Sequence, residues 1–296
     1  MNNEPVSGLL MGPSYFLDYR FWPGVIALYK ERNYINKGIS VKNAATKLLT
    51  IVGVVISLLA ASAQANVVIS GTRVIFPSKE REVTVQLTNK GSMPTLAQAW
   101  IDRGDQDASP DNVEVPFAMT PSLFRMEAGK GQALRIMYLK EPLPTDKESI
   151  FYLNLLELPP KIQGELAAKN TMQIALRTRI KIFFRPEGLA GNSIDAPASV
   201  VWEVVKVQDG KAYALKGSNP SPYYVNLSAV NLSAGGTEYK TLGATIAPFS
   251  DGVIPLHDLK VAPAGDATVS YVAINDFGGI MKANSPLGVK PATSGK

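Results

Sequence analysis

His257 is the sole histidine in the 296-residue chain and Asp258 follows it, the two side-chain types from which a general-base pair is built. No serine in a recognisable nucleophile elbow accompanies them and cysteine is absent, so the pair reads as a surface or turn feature. Asp102, Asp105, Asp107 and Asp111 crowd one stretch but lack the glycine and terminal glutamate spacing of a calcium loop. Gly129-Lys130-Gly131 lies in a strand-connecting turn and lacks the helix on which a phosphate cradle is built. Arg103-Gly104-Asp105 is too short to mean anything alone. Asn226-Leu227-Ser228 and Asn231-Leu232-Ser233 are acceptor sequons only in a glycosylating secretory pathway. The absence of cysteine excludes disulfides, thiolate metal sites and cysteine nucleophiles. These residues imply no catalysis, no cofactor, no metal and no small-molecule substrate.

A different chemistry is written into residues 171–186, TMQIALRTRIKIFFRP. Met172, Ile174 and Leu176 alternate with Gln173, Ala175 and Arg177, and cations then gather at Arg177, Arg179, Lys181 and Arg185. A strand of this kind offers apolar teeth and a backbone edge to another chain, and its basic end suits an acidic group on that partner. On the residues alone, an ordinary sandwich strand whose alternating face fills its own core is the better reading.

The elements that would carry this strand are short and β-rich. Segments 67–69, 73–76, 82–88, 96–101, 133–139, 151–157 and 172–184 are rich in β-branched and aromatic residues, with Gly, Pro, Asn and Asp between them. About seven strands in roughly 120 residues match an immunoglobulin-like sandwich. Arg185-Pro186-Glu187-Gly188-Leu189-Ala190-Gly191 reads as a linker. Strands resume at 200–208, 212–216, 223–231, 239–241, 252–255 and 267–275, and their shorter runs predict a second, smaller sandwich.

Composition narrows the partner. Hydrophobic residues at 46% and charged residues at 19% describe an ordered protein. The formal charge is +5, but residues 66–296 carry 24 Lys and Arg against 22 Asp and Glu. That balance argues against a nucleic-acid binder working by phosphate neutralisation. Lys42 and Lys47 precede an apolar run over 48–60 that ends in Ala63-Gln64-Ala65, the layout of a secretory signal peptide cleaved after Ala65. Residues 1–41 then read as a non-native upstream extension, with translation starting near Val41, and residues 42–65 as the leader. An N-terminal domain over 66–186 and a C-terminal domain over 187–296 follow.

The stretch LPTDKESIFYLNLLELPP at residues 143–160 resembles the signature of the periplasmic pilus-assembly chaperones, the PapD-like family, with Pro144, Asp146, Lys147, Glu148, Asn154, Pro159 and Pro160 placed as that family has them. The resemblance continues through 72–102, 120–136, 174–189, 219–228, 246–256 and 274–279, and covers essentially everything after Asn66. It implies an all-β chain of two immunoglobulin-like β-sandwich domains in a boomerang arrangement. Its expected partners are pilus or fimbrial subunits, captured in the periplasm by lending them a strand and delivered to an outer-membrane usher. An exported β-sandwich structural or adhesive pilus component is the alternative.

By that resemblance Met172, Ile174 and Leu176 are the donor-strand teeth, and Arg73 with Lys181 binds the carboxylate at the subunit's C-terminus. Glu157, Arg185 and Asp276 form an interdomain salt-bridge set. Thr120-Pro121 sits where the family commonly has a cis proline, whereas base rates favour trans. Residues 161–170 resemble the short-loop group that serves multi-subunit fimbriae. A period of two puts Lys181 on the face opposite the teeth, so a strong twist, a bulge between Arg177 and Lys181, or a subunit end that wraps the edge is required. The open edge also leaves self-association of the free protein as an expectation.

Overall fold

The computed structural model describes residues 67–110, 113–159, 173–207, 213–256, 259, 262–263 and 266–288. The expected leader and upstream extension, Asp111, the 161–170 segment, Met172, and the His257–Asp258 pair lie outside the described residues.

The first half contains β1 (Val67–Ile69), β2 (Arg73–Pro77), β3 (Glu82–Asn89), β4 (Thr95–Asp102), β5 (Phe117–Thr120), β6 (Leu123–Met126), β7 (Gly131–Tyr138), β8 (Ser149–Leu158) and β9 (Leu176–Arg185). They form a four-stranded sheet, β1-β3-β7-β5, and a five-stranded sheet, β2-β9-β8-β4-β6. The chain changes sheet between β1 and β2, turning at Gly71 with φ 113°, a left-handed value that favours glycine. Alternation places Val85, Leu87, Leu134, Ile136, Phe151, Leu153, Leu155 and Ile182 between the sheets. Phe76, Phe117, Tyr138, Phe151 and Phe184 complete that core as a ring cluster with centroids 4.6–6.3 Å apart.

The second half contains β10 (Val201–Lys206), β11 (Tyr213–Asn219), β12 (Val225–Ala234), β13 (Thr237–Ile246), β14 (Ser250–Leu256), β15 (Ala267–Ile274) and β16 (Ile280–Pro286). Sheets β10-β11-β14 and β13-β12-β15-β16 enclose Trp202, Leu215, Val230, Leu232, Ile246, Val269 and Tyr271. Gly217 makes room for this packing, because a Cβ there would stand 2.7 Å from Ile246 and 2.8 Å from Trp202. The protein is thus all-β, with two immunoglobulin-like sandwiches.

Three details differ from the sequence reading. β5 and β6, which no expected segment covers, are strands of four residues each; the Thr120–Pro121 bond between them is cis, as the resemblance implied. β16 carries Lys282, Asn284 and Ser285 on a largely exposed edge, where no buried face imposes alternation. The second sandwich is not built from shorter strands: β12 and β13 each have ten residues, as β8 and β9 do.

Candidate functional site: an open strand edge and an interdomain cation pocket

β9 is paired unequally along its two edges. β8 pairs with it antiparallel from Leu176 to Phe184, whereas β2 joins the other edge, in parallel, only from Lys181 to Arg185. No described strand pairs with that edge over 176–180, so its N–H and C=O groups form a short free edge.

Side chains divide by parity. Ile182 and Phe184 fill the first core and Ile180 packs against it. Leu176, on the same inward face, is 42% exposed, and Ile174, just ahead of the strand, is 71% exposed. The apolar row that seals the sandwich therefore runs out past its end. Of the expected teeth, Leu176 opens β9 and Ile174 precedes it, since the strand starts at Leu176 and not at 172; Met172 lies outside the described residues.

The outward face carries Arg177, Arg179, Lys181, Phe183 and Arg185, and most of its charge is used internally. Arg179 forks onto Asp102 of β4, which is fully buried, and stacks on Tyr152 with its guanidinium carbon 3.8 Å from the ring centroid. Arg177 donates to Asn154 Oδ1 at 2.8 and 3.1 Å and to the Gln106 carbonyl at 2.6 Å, and lies over Trp100. Asn154 Nδ2 in turn donates to Asp102 Oδ2 at 2.6 Å. The basic character of the segment thus overstates what it can offer a partner.

Lys181 is different. It faces the second sandwich, donating to Asn226 Oδ1 at 2.7 Å and Thr245 Oγ1 at 2.5 Å. Its Cα partner across the parallel ladder is Arg73, the first residue of β2. Arg73 donates through Nη1 to the Ile274 carbonyl at 3.0 Å and lies over Phe183, while its buried Nε has no hydrogen-bond partner. Among the described residues no carboxylate comes within ion-pair distance of either cation. Burial, then the like charge of Arg73, pulls Lys181 down to about 8. Burial also lowers Arg73, against the attraction of Asp276. Two half-buried cations with spare donors have the chemistry that could hold one carboxylate.

Beside this pocket the domains are joined by ion pairs. Arg185 forks onto Asp276 at 2.7 and 3.0 Å and donates through Nε to Glu148 Oε1 at 2.7 Å. Glu148 Oε2 accepts from the Tyr224 amide at 2.8 Å, and Ser193 Oγ donates to Asp276 at 2.8 Å. Burial lifts the Glu148 carboxyl above its usual range, against the pull of Arg185. Burial also works to lift Asp276, but the hydrogen bonds from Arg185 and Ser193 and the charges of Arg185 and Arg73 outweigh it, and the carboxyl sits low. Asp276 is held in a turn whose Gly278 has φ +80° and whose absent Cβ would meet Thr72 Oγ1 at 2.7 Å.

Arg185 and Asp276 were expected here, but Glu157 was not the right third member. It lies at the far end of β8, opposite Leu176, and accepts from the Val67 amide at 3.0 Å. Nine residues of strand put it roughly 30 Å from Glu148. The signal that identifies Glu148 was present: an antiparallel partner places the start of β8 beside the end of β9, where Arg185 lies. Asn226 and Thr245 were missed for want of any pattern marking them as partners of Lys181.

Two immunoglobulin-like sandwiches, a half-open edge strand and a cation pair at the domain junction have the features of a binding protein that works through backbone edge and charge. The sequence profile described as pili and flagellar-assembly chaperone, PapD N-terminal domain, matches residues 66–190, and that of the pili assembly chaperone PapD C-terminal domain matches 195–285. The chain belongs to this family of pilus assembly chaperones. It is 45% identical over 228 residues to the probable fimbrial chaperone YadV of Escherichia coli K12, covering 76% of this chain and 92% of that protein. It is 42% identical over 226 residues to chaperone protein FimB/FhaD of Bordetella pertussis, covering 75% and 88%. The crystal structure of the YadV chaperone superposes with a TM-score of 0.64 at 42% identity, covering 75% of this chain and all of the other. A Salmonella enterica structure of SafA pilin in complex with the SafB chaperone gives a TM-score of 0.62 at 26% identity, covering 77% and 99%.

Proposed function

We propose that the protein captures fimbrial subunits by lending them residues 174–180 of its first sandwich, holds their C-terminal carboxylate between Arg73 and Lys181, and passes them to an outer-membrane usher. On this reading it works in the periplasm after removal of a leader ending at Ala65, and it performs no catalysis. The observation that carries the reading is the half-open β9, which has exposed apolar residues at its start and, where β2 begins, a cation pair that no described carboxylate meets at ion-pair distance. Strand addition to a sheet edge is a recognised mode of capture, chaperone–pilin complexes among its examples.

The ladder supports a way for teeth and anchor to serve one partner although they face opposite ways. Pairing between β8 and β9 keeps one register from Leu176 to Phe184, so no bulge reverses the parity. A strand added over 176–180 occupies the same edge as β2 and meets it end-on where Arg73 begins. Its terminus then lies beside the Arg73–Lys181 pair whichever face the teeth take. Because β2 starts there, a carboxylate reaches the pair only if the added strand runs parallel to β9. Ile174 and Leu176 would each contribute about 1.5–3 kcal/mol when buried in the subunit, before ordering costs.

Co-expression with candidate subunits and copurification from the periplasm tests this. Wild type should hold the subunit, and Arg73→Ala, Lys181→Ala and Leu176→Glu should each lose it while remaining folded. Undiminished copurification with both cation variants would reject the carboxylate anchor.

A further inference from the structure

We propose that Asp102 is a positioning residue that keeps the open edge of β9 in strand form before any partner arrives; this rests on residues 176–180 being the lent segment. The edge needs such a device. A strand joined on one side only is held by half the ladder bonds of an interior strand, and of its inward apolar residues only Ile180 reaches the core while Leu176 stays 42% exposed, so packing fixes its first residues weakly. What holds it is the opposite face. Both outward residues of the open segment, Arg177 and Arg179, are tied across β8 toward β4.

Asp102 is the centre of that tie. Its buried carboxylate receives the Arg179 fork, Asn154 Nδ2 at 2.6 Å and the Gly104 amide at 2.6 Å, with Arg177 Nη2 at 3.9 Å. Asn154 relays the carboxylate to Arg177, which it faces through its other amide atom. Tyr152 and Trp100 supply ring faces under the two guanidiniums. The ties reach only the open half: Lys181 turns to Asn226 and Thr245, and Arg185 to Glu148 and Asp276. The arrangement restrains the backbone through side chains on one face and leaves Leu176 on the other face and the edge free for a partner.

Asp102→Asn removes the charge while keeping size, so the forked arginine loses its anchor. Amide hydrogen exchange on the free protein reads the effect without needing a subunit. The amides of 176–180 that bond to β8 should exchange about tenfold faster, whereas those of Ile182, Phe183 and Phe184 should change less than about twofold. A general loss of stability would accelerate both halves alike; that result, or no change in either half, overturns the proposal. Should Asp102→Asn fail to fold, Arg179→Lys replaces it: the charge is kept but the fork is lost, and a smaller acceleration of about threefold in the same half is expected. With a fimbrial subunit that wild type captures, Asp102→Asn should slow capture more than it speeds release, since a bound partner itself orders the edge. Equal effects on both rates would count against positioning. Leu176→Glu separates the two ideas: it should abolish capture yet leave exchange of the free strand unchanged, and retained capture would reject the strand-lending reading while exchange still decides the role of Asp102.

Discussion

The two halves of β9 share one strand, one partner on the β8 side and one alternation, yet they serve opposite ends. From Lys181 to Phe184 the strand is paired on both edges, its inward residues Ile182 and Phe184 are buried, and Arg185 is bound into the domain junction. Over 176–180 one edge is free, Leu176 is half-exposed, and the outward arginines are tied to Asp102. The difference arises from where β2 begins. A strand five residues long covers half of its neighbour, and the uncovered half can serve as the proposed site because the apolar pattern does not stop where the cover does.

If that division is correct, truncations along the inward row should have opposite consequences. Phe184→Ala should cost about 3–5 kcal/mol of stability in denaturant unfolding, because it empties part of the aromatic core. At the junction, Arg185→Met strands the buried Glu148 carboxylate and should cost about 2–3 kcal/mol, at the low end for a broken buried pair because Arg185 and Asp276 keep some exposure. Leu176→Ala should change stability by less than about 0.5 kcal/mol while weakening subunit affinity by about 10–100-fold. A stability loss at Leu176 matching that at Phe184 would erase the distinction between the halves.

The smallest effect is one of pH. Burial and the charge of Arg73 hold Lys181 down to about 8, and a carboxylate bound beside it would raise that value. Binding should therefore be full below about pH 8 and weaken as pH rises through it, by at most about tenfold per unit. Lys181→Arg should flatten the profile, as read by equilibrium titration between pH 7 and 10.

How much of this was legible in the residues depends on whether a pattern had a physical cause visible in one dimension. Alternation exposed the strands with one buried face, such as β3 and β7, because burial on one side imposes period two. It missed β16, whose exposed edge imposes nothing, and β5 and β6, which are too short to repeat. The cation run was visible, but its division was not: Arg179 and Lys181 are alike in sequence, and only the presence of Asp102 two strands away separates a tied cation from one without a carboxylate. Glu157 and Glu148 lie on or beside the same strand, and strand direction decides which meets Arg185.

The central claim, that a partner's strand completes the open half of β9, is tested most directly by amide hydrogen exchange of the chaperone with and without a bound fimbrial subunit. The account predicts new protection at the edge amides of residues 176–180, with those from Lys181 to Arg185, already covered by β2, unchanged. Protection gained elsewhere on the first sandwich, with residues 176–180 still exchanging as in the free protein, would contradict it.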